Sequence, residues 1–136
     1  MSDTSPIDLE LSGSIHGQLG VEIIEMAPER VILSVPVGPR VHQPFGILHG
    51  GVSALIAESA ASMGGMLNVA DGKVCVGTEI SASHLRSMAS GTLTATATPI
   101  RVGRTMQVWR IELTDEGGRL ICDAKCSLAV IDQPAP

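Results

Sequence analysis

Aromatic side chains are almost missing from this chain of 136 residues, which has Phe45, Trp109 and no tyrosine. Without them a core has to be built from Val, Ile, Leu, Met and Ala packed closely around small residues. Cations are scarce too: Lys and Arg number 9 against 14 acids, for a net charge of −5. That balance, with so few aromatics to stack, argues against a general nucleic-acid surface. No apolar run approaches the roughly 18 residues of a membrane span, and no secretion-signal pattern is seen. No membrane partner is therefore expected, and the expected location is cytoplasmic. Three cysteines, Cys75, Cys122 and Cys126, form an odd number in no metal-binding spacing. Cys122 and Cys126 fall four apart in a strand-like run, share a face and read as buried reduced thiols. The histidines at 16, 42, 49 and 84 show no ligand spacing, and no Gly-Lys-Ser phosphate loop occurs. Leu55 breaks the Gly-x-Ser-x-Gly elbow that "GVSAL" begins. No metal and no separate cofactor are expected.

What is present is a clear order of elements. With 136 residues and 44% apolar content, one domain with a real core is expected. It should span 8–131, between a mobile start at 1–7 and a tail at 132–136. A weakly patterned helix falls around Asp8 to Gly17. Strand-like segments follow near Gly20–Met26 and Glu29–Val37, the second with Val31, Leu33, Val35 and Val37 on one face. "VGPRVHQPFG" is a loop by its Pro and Gly content. A helix runs from about Gly50 to Leu67, favoured by Ala and Leu and weakened by Gly64-Gly65.

Beyond the turn "ADGK" the period changes to two. Thr92, Thr94, Thr96 and Thr98 alternate with Leu93, Ala95 and Ala97. Trp109, Ile111 and Leu113 oppose Arg110 and Glu112, and "DEGGR" makes a hairpin turn. Leu120, Cys122, Ala124, Cys126, Leu128 and Val130 face inward, opposite Asp123, Lys125 and Ser127. Two strands, one long helix and four closely connected strands make an α+β fold with a mostly antiparallel sheet. The helix is apolar nearly all round, with Val52, Leu55, Ile56, Ala60, Met63 and Met66, so it must be covered on several sides. A curved sheet wrapped around it does this, and so does a second copy against its flank.

Two features of "HQPFGILHGGVSALIAESAASMGG", residues 42–65, carry chemistry. Gly50 and Gly51 lie where the helix begins, among amide N–H groups without intrahelical partners and at the positive end of the dipole. Lacking side chains, they let a ligand oxygen approach the backbone, although a tight turn explains such a pair equally well. Glu58 is the only charged residue between Arg40 and Asp71. Ionised in apolar surroundings it costs several kcal/mol unless it finds partners, which marks it as a functional candidate. The alternative is a solvent-facing stripe shared with the small residues Ala54, Ala57, Ala61, Ser62 and Gly65. Gly50 and Glu58 are ~12 Å apart along one helix at ~1.5 Å per residue. One reacting carbon cannot touch both, so a shared site requires a homodimer with antiparallel helices. Ser62, one turn beyond Glu58, is placed to hold a water against the carboxylate.

Gln43, then "LHGG" with His49 and Gly50, then Glu58 and Ser62, closely resemble the hotdog-fold acyl-CoA thioesterases that use a glutamate on the central helix. The resemblance extends over about residues 18–131 and is nearest to the 1,4-dihydroxy-2-naphthoyl-CoA and hydroxybenzoyl-CoA thioesterases. It implies a hotdog fold, a curved antiparallel sheet around one long helix, in a homodimer that assembles to a homotetramer. It implies that the Gly50 N–H polarises the thioester carbonyl while Gln43 and His49 orient it. Glu58 of the other chain is then nucleophile or general base, with Ser62 positioning water. Coenzyme A would be part of the substrate rather than a cofactor. "RVGR", with Arg101, Val102, Gly103 and Arg104, resembles the family's nucleotide-proximal turn. His84 and Arg86 share one face of a strand and, with Ser87, are candidates for substrate or coenzyme A contact, or mark a solvated strand end. His49 alternatively caps the helix.

Aromatic or medium-chain acyl groups fit the few polar residues along the helix. Three other readings compete with the thioesterase: a non-catalytic acyl-CoA-binding module, a hydroxyacyl-thioester dehydratase and a purely structural dimer. The Glu58–Ser62 pair favours hydrolysis over the first, and the distance from His49 to Glu58 disfavours the second.

Overall fold

The computed structural model describes residue 11 and residues 13–135. The expected mobile start and the first turn of the helix expected at Asp8–Gly17 lie outside them. The helix that is described, α1, is Ile15–Leu19. Ser14 caps it, its Oγ accepting from the His16 N–H at 3.2 Å. Strands β1 (Glu22–Ala27) and β2 (Arg30–Val37) follow, then the long helix α2 (Gly50–Met66). Strands β3 (Lys73–His84), β4 (Gly91–Val102), β5 (Met106–Thr114) and β6 (Leu120–Asp132) complete the chain. This is the order expected from the changes of period.

The strands form one antiparallel sheet in the order β1-β2-β4-β5-β6-β3. Between β2 and β3 the chain must travel from near one edge to the other, and α2 makes that crossing. It contacts all six strands, which requires the sheet to curve around it. Most of the inward residues expected from alternation are buried, namely Val31, Leu33, Val35, Val37, Leu93, Ala95, Ala97, Trp109, Ile111, Leu113, Cys122, Ala124, Cys126 and Leu128, whereas Leu120 and Val130 are half-buried. Each large side chain among them contributes about 1.5–3 kcal/mol through burial.

The Gly64-Gly65 pair has a packing reason that helix propensity alone does not show. A Cβ on Gly64 would stand 2.5 Å from the Trp109 ring, and one on Gly65 the same distance from Leu128 Cδ1. The helix lies so close to β5 and β6 that only glycine fits. Gln107, fully buried beneath, accepts from Trp109 Nε1–H at 2.8 Å and donates to the Gly65 carbonyl at 3.2 Å. Sheet and helix are thereby joined through a satisfied polar pair.

Candidate active site

The N-terminal end of α2 is held from both sides. The His49 N–H donates to the Val41 carbonyl at 2.9 Å, and the Leu48 N–H to Met88 at 2.7 Å. His42 Nε2 meets the Ala89 carbonyl at 2.8 Å, so the 42–48 loop is tied to the 85–90 loop. Gln43 sits in a tight turn, its N–H donating to the Ile47 carbonyl and its Oε1 accepting from the Phe45 N–H. Its amide nitrogen remains a donor. His49 is the N-cap: Nδ1 accepts from the Gly51 N–H at 2.8 Å. That bond consumes the Gly51 amide and leaves a hydrogen on Nε2 of an exposed ring, so His49 is both a cap and a donor.

Gly50 opens instead onto a cleft of about 380 Å³ with Ile47, Leu48, Ser53, His84, Leu85, Arg86, Ser87 and Ile121. Here the expected Gly50, His84, Arg86 and Ser87 come together; a Cβ on Gly50 would lie 2.9 Å from the His84 ring. Arg86 is not on a strand face, however. β3 ends at His84, and the Leu85 and Arg86 amides both turn to the Ile121 carbonyl, at 2.8 and 3.3 Å.

Glu58 lines a second groove of about 380 Å³ with His16, Leu55, Ser59, Ser62, Met63 and Met66. The stripe of small residues expected around Glu58 is therefore corrected: Ala57, Ala61 and Gly65 are buried against the sheet. Larger apolar side chains take their place at the groove. Glu58 instead gains its room from Gly77 on β3, where a Cβ would collide with Oε2. The β3 register shifts between Gly77 and Glu79, a bulge beside the carboxylate of the kind that re-aims an edge strand. An isolated glycine inside a strand pattern is the signal that could have found this residue.

Below the groove, the Cys75 thiol contacts the Ser62 carbonyl at 3.5 Å. Burial pushes the Cys126 thiol up to about 11, with the Glu58 charge adding to the effect. His16 belongs to this groove and was not anticipated: its Nε2 lies 2.6 Å from Ser59 Oγ. No spacing rule connects residues 43 positions apart.

The two hollows share no lining residue. Within one chain, therefore, Gly50 and Glu58 are not brought together. The turn of Arg101, Val102, Gly103 and Arg104 lines neither hollow. Its Gly103 N–H donates to the Met106 carbonyl at 2.9 Å, and a Cβ there would meet the same oxygen. Across the sheet Val102 is level with Gln107, Leu128 and Gly77, whereas Ser87 follows the opposite end of β3.

The profile of the thioesterase superfamily matches residues 45–122. A 1,4-dihydroxy-2-naphthoyl-CoA hydrolase from Listeria monocytogenes is 43% identical over 112 residues, 82% of this chain and 91% of that one. The proofreading thioesterase EntH from Cronobacter turicensis is 43% identical over 119 residues, covering 88% and 87%. The crystal structure of thioesterase HI1161 from Haemophilus influenzae superimposes with a TM-score of 0.85 at 44% identity, over 89% of this chain and 85% of that one. The chain belongs to the thioesterase superfamily, with the hotdog fold that the sequence resemblance implies, and is a thioester hydrolase.

Proposed function

We propose that the protein hydrolyses aromatic or medium-chain acyl-CoA to the free acid and coenzyme A, at sites completed by two copies of the chain. The observation that carries this reading is the separation of the two hollows. Gly50 and Glu58 stand ~12 Å apart on one straight helix, in clefts with no residue in common. β3 is an edge strand of 12 residues with one side unpaired among the described residues. Pairing that edge with its own copy gives every amide a partner and sets two α2 helices antiparallel. The Gly50 cleft of one copy then meets the Glu58 groove of the other, and the dimer in turn pairs into a tetramer.

In such a site the thioester oxygen accepts from the Gly50 N–H, with His49 Nε2–H and the Gln43 amide as further donors. Glu58 either removes a proton from a water held by Ser62, or attacks the carbonyl carbon itself. Negative charge collects on the carbonyl oxygen, where the first-turn amide and the helix dipole favour it. The C–S bond then breaks. A thiol near pKa 8.5 leaves as thiolate without a strong acid. Leu55, Met63 and Met66 give the acyl group an apolar groove, and Ser87, His84 and Arg86 flank the Gly50 cleft. Arg101 and Arg104, with Val102 and the backbone at Gly103, supply cations for coenzyme A phosphates from the other copy. Thioester hydrolysis of this kind needs no cofactor.

Thiol release over aromatic and straight-chain acyl-CoAs tests the chemistry. Glu58→Ala should lose at least about a hundredfold, the low end of what general-base catalysis supplies. Mixing Glu58→Ala with Gly50→Pro tests the shared site. Random exchange should restore about a quarter of the sites, because a mixed dimer keeps one intact Gly50–Glu58 pair. Tight acyl-CoA binding without turnover would instead identify a binding module.

A further inference from the structure

Resting on the reading of Gly50 and Glu58 as the two halves of the proposed site, we infer that Thr78 is a positioning residue for both. It is the extra residue of the β3 bulge, and its hydroxyl holds that bulge in place. Up to the bulge, Cys75 stands opposite Val130 and Gly77 opposite Leu128. Beyond it, Ile80 stands opposite Cys126 and His84 opposite Cys122. Thr78 is thus left without a counterpart on β6. Side chains along a strand alternate between its faces, so one added residue exchanges the faces of all that follow.

Both sides of that exchange reach the site. Before the bulge the odd positions face α2: the Cys75 thiol contacts the Ser62 carbonyl, and Gly77 leaves the space that Glu58 fills. After it the even positions do. Ile80 and Ala82 pack against the core, and the His84 ring stands beside Gly50. Ser81 lies on the outer face with Arg110, Asp123 and Lys125. An unbroken strand would set Glu79, Ser81 and Ser83 against α2 and turn His84 away from Gly50. A bulge leaves its extra residue outside the ladder. Here the Thr78 Oγ1–H donates across the strands to the Ser127 carbonyl at 3.1 Å and closes that gap. In the proposed dimer the Glu58 and Gly50 of one chain serve different sites, so each bulge aligns one half of each.

Thiol release from benzoyl-CoA and octanoyl-CoA, followed at several enzyme concentrations, tests this. Thr78→Val keeps the side-chain shape and removes the bond. It should lower kcat about tenfold, part of the hundredfold that a misplacement of ~1 Å costs. KM should stay within about twofold, since alignment of the reacting groups and not substrate binding is lost. Thr78→Ala should match it, and Thr78→Ser, which keeps the hydroxyl, should restore most of the rate. Combined with Gly77→Ala, which displaces the carboxylate directly, Thr78→Val should add less than its full factor, because both act on one placement. An unchanged kcat in Thr78→Val overturns the inference, as does an equal loss in Thr78→Ser. A loss that disappears as enzyme concentration rises assigns Thr78 to dimer assembly alone and overturns it too. Glu58→Ala separates the two readings. If it is inactive while Thr78→Val turns over normally, only the role of Thr78 falls; if it turns over normally itself, the carboxylate reading falls and takes that role with it.

Discussion

α2 contains the dipeptide Gly-Gly twice, and the two copies answer to different neighbours. At its start, a Cβ on Gly50 or Gly51 would meet the imidazole of His84 or His49 at 2.9 Å. Near its end, a Cβ on Gly64 or Gly65 would meet Trp109 or Leu128 at 2.5 Å. The imidazoles are exposed and can swing aside, whereas Trp109 and Leu128 are buried and cannot. In the proposed mechanism the first pair keeps the backbone within reach of a ligand. The second lets a whole helix lie against a sheet. A glycine costs a helix about 1 kcal/mol relative to alanine, and here that cost is offset once by access and once by contact.

Exchanging glycines at the two ends should therefore give opposite signatures. The largest effect is expected from Gly50→Pro, which removes one amide donor and should lower turnover about 10²–10³-fold. Its melting temperature should barely move, because proline suits the first helical position and His49, at φ −73° and ψ 128°, already has the backbone a preceding residue needs. A large thermal loss would make the two pairs alike. Gly64→Ala or Gly65→Ala should do the reverse in urea unfolding, destabilising the fold by about 1–3 kcal/mol through overpacking despite better helix propensity. Unchanged stability would show that the sheet yields more easily than the buried Trp109 implies.

His49→Ala sharpens the contrast from the capping side. It should cost about 1 kcal/mol by urea unfolding, while His49→Asn keeps most of the cap. The smallest effect should come from the β5–β6 hairpin turn, whose residues 115–119 line neither the Gly50 cleft nor the Glu58 groove. Asp115 is held below its ordinary value chiefly by the Arg119 backbone N–H, with the Arg119 side chain and the Gly117 N–H assisting. Its contribution is complete above the unfolded carboxylate value and is lost as pH falls through the lower folded value. Urea midpoints followed from neutral into acid should show that loss in wild type and not in Asp115→Asn, with thiol release at neutral pH the same in both.

Much of this architecture was legible because burial has a period. Val31 through Val37, Leu93 through Ala97 and Trp109 through Leu113 alternate cleanly, since each strand has one wet and one dry face. The glutamate stood out because charge is otherwise absent from its helix. Sheet order was not legible: nothing local tells β2 to pair with β4 and leaves β3 at the far edge. Side-chain direction on α2 was only partly so, because alanine gives no signal of which way it faces, and Ala57 and Ala61 turned inward. Arg86 was read as part of a strand that in fact ends two residues earlier. His16 was invisible as a groove residue, because its meeting with Ser59 depends entirely on how α1 returns over α2.

The cysteines take on another meaning once the reaction is considered. An enzyme that handles activated acyl groups all day is itself exposed to acylation, and a thiolate is the side chain most eager to accept one. Cys126 lies within the electrostatic reach of Glu58, and its thiol is pushed up to about 11. At neutral pH that thiol stays protonated, and it is buried in the sheet. Cys75, beside it and also raised by burial, is similarly quiet. These thiols lie behind the proposed acyl groove and are not among its lining residues, so on that reading an acyl group is lost to water rather than stranded on a cysteine.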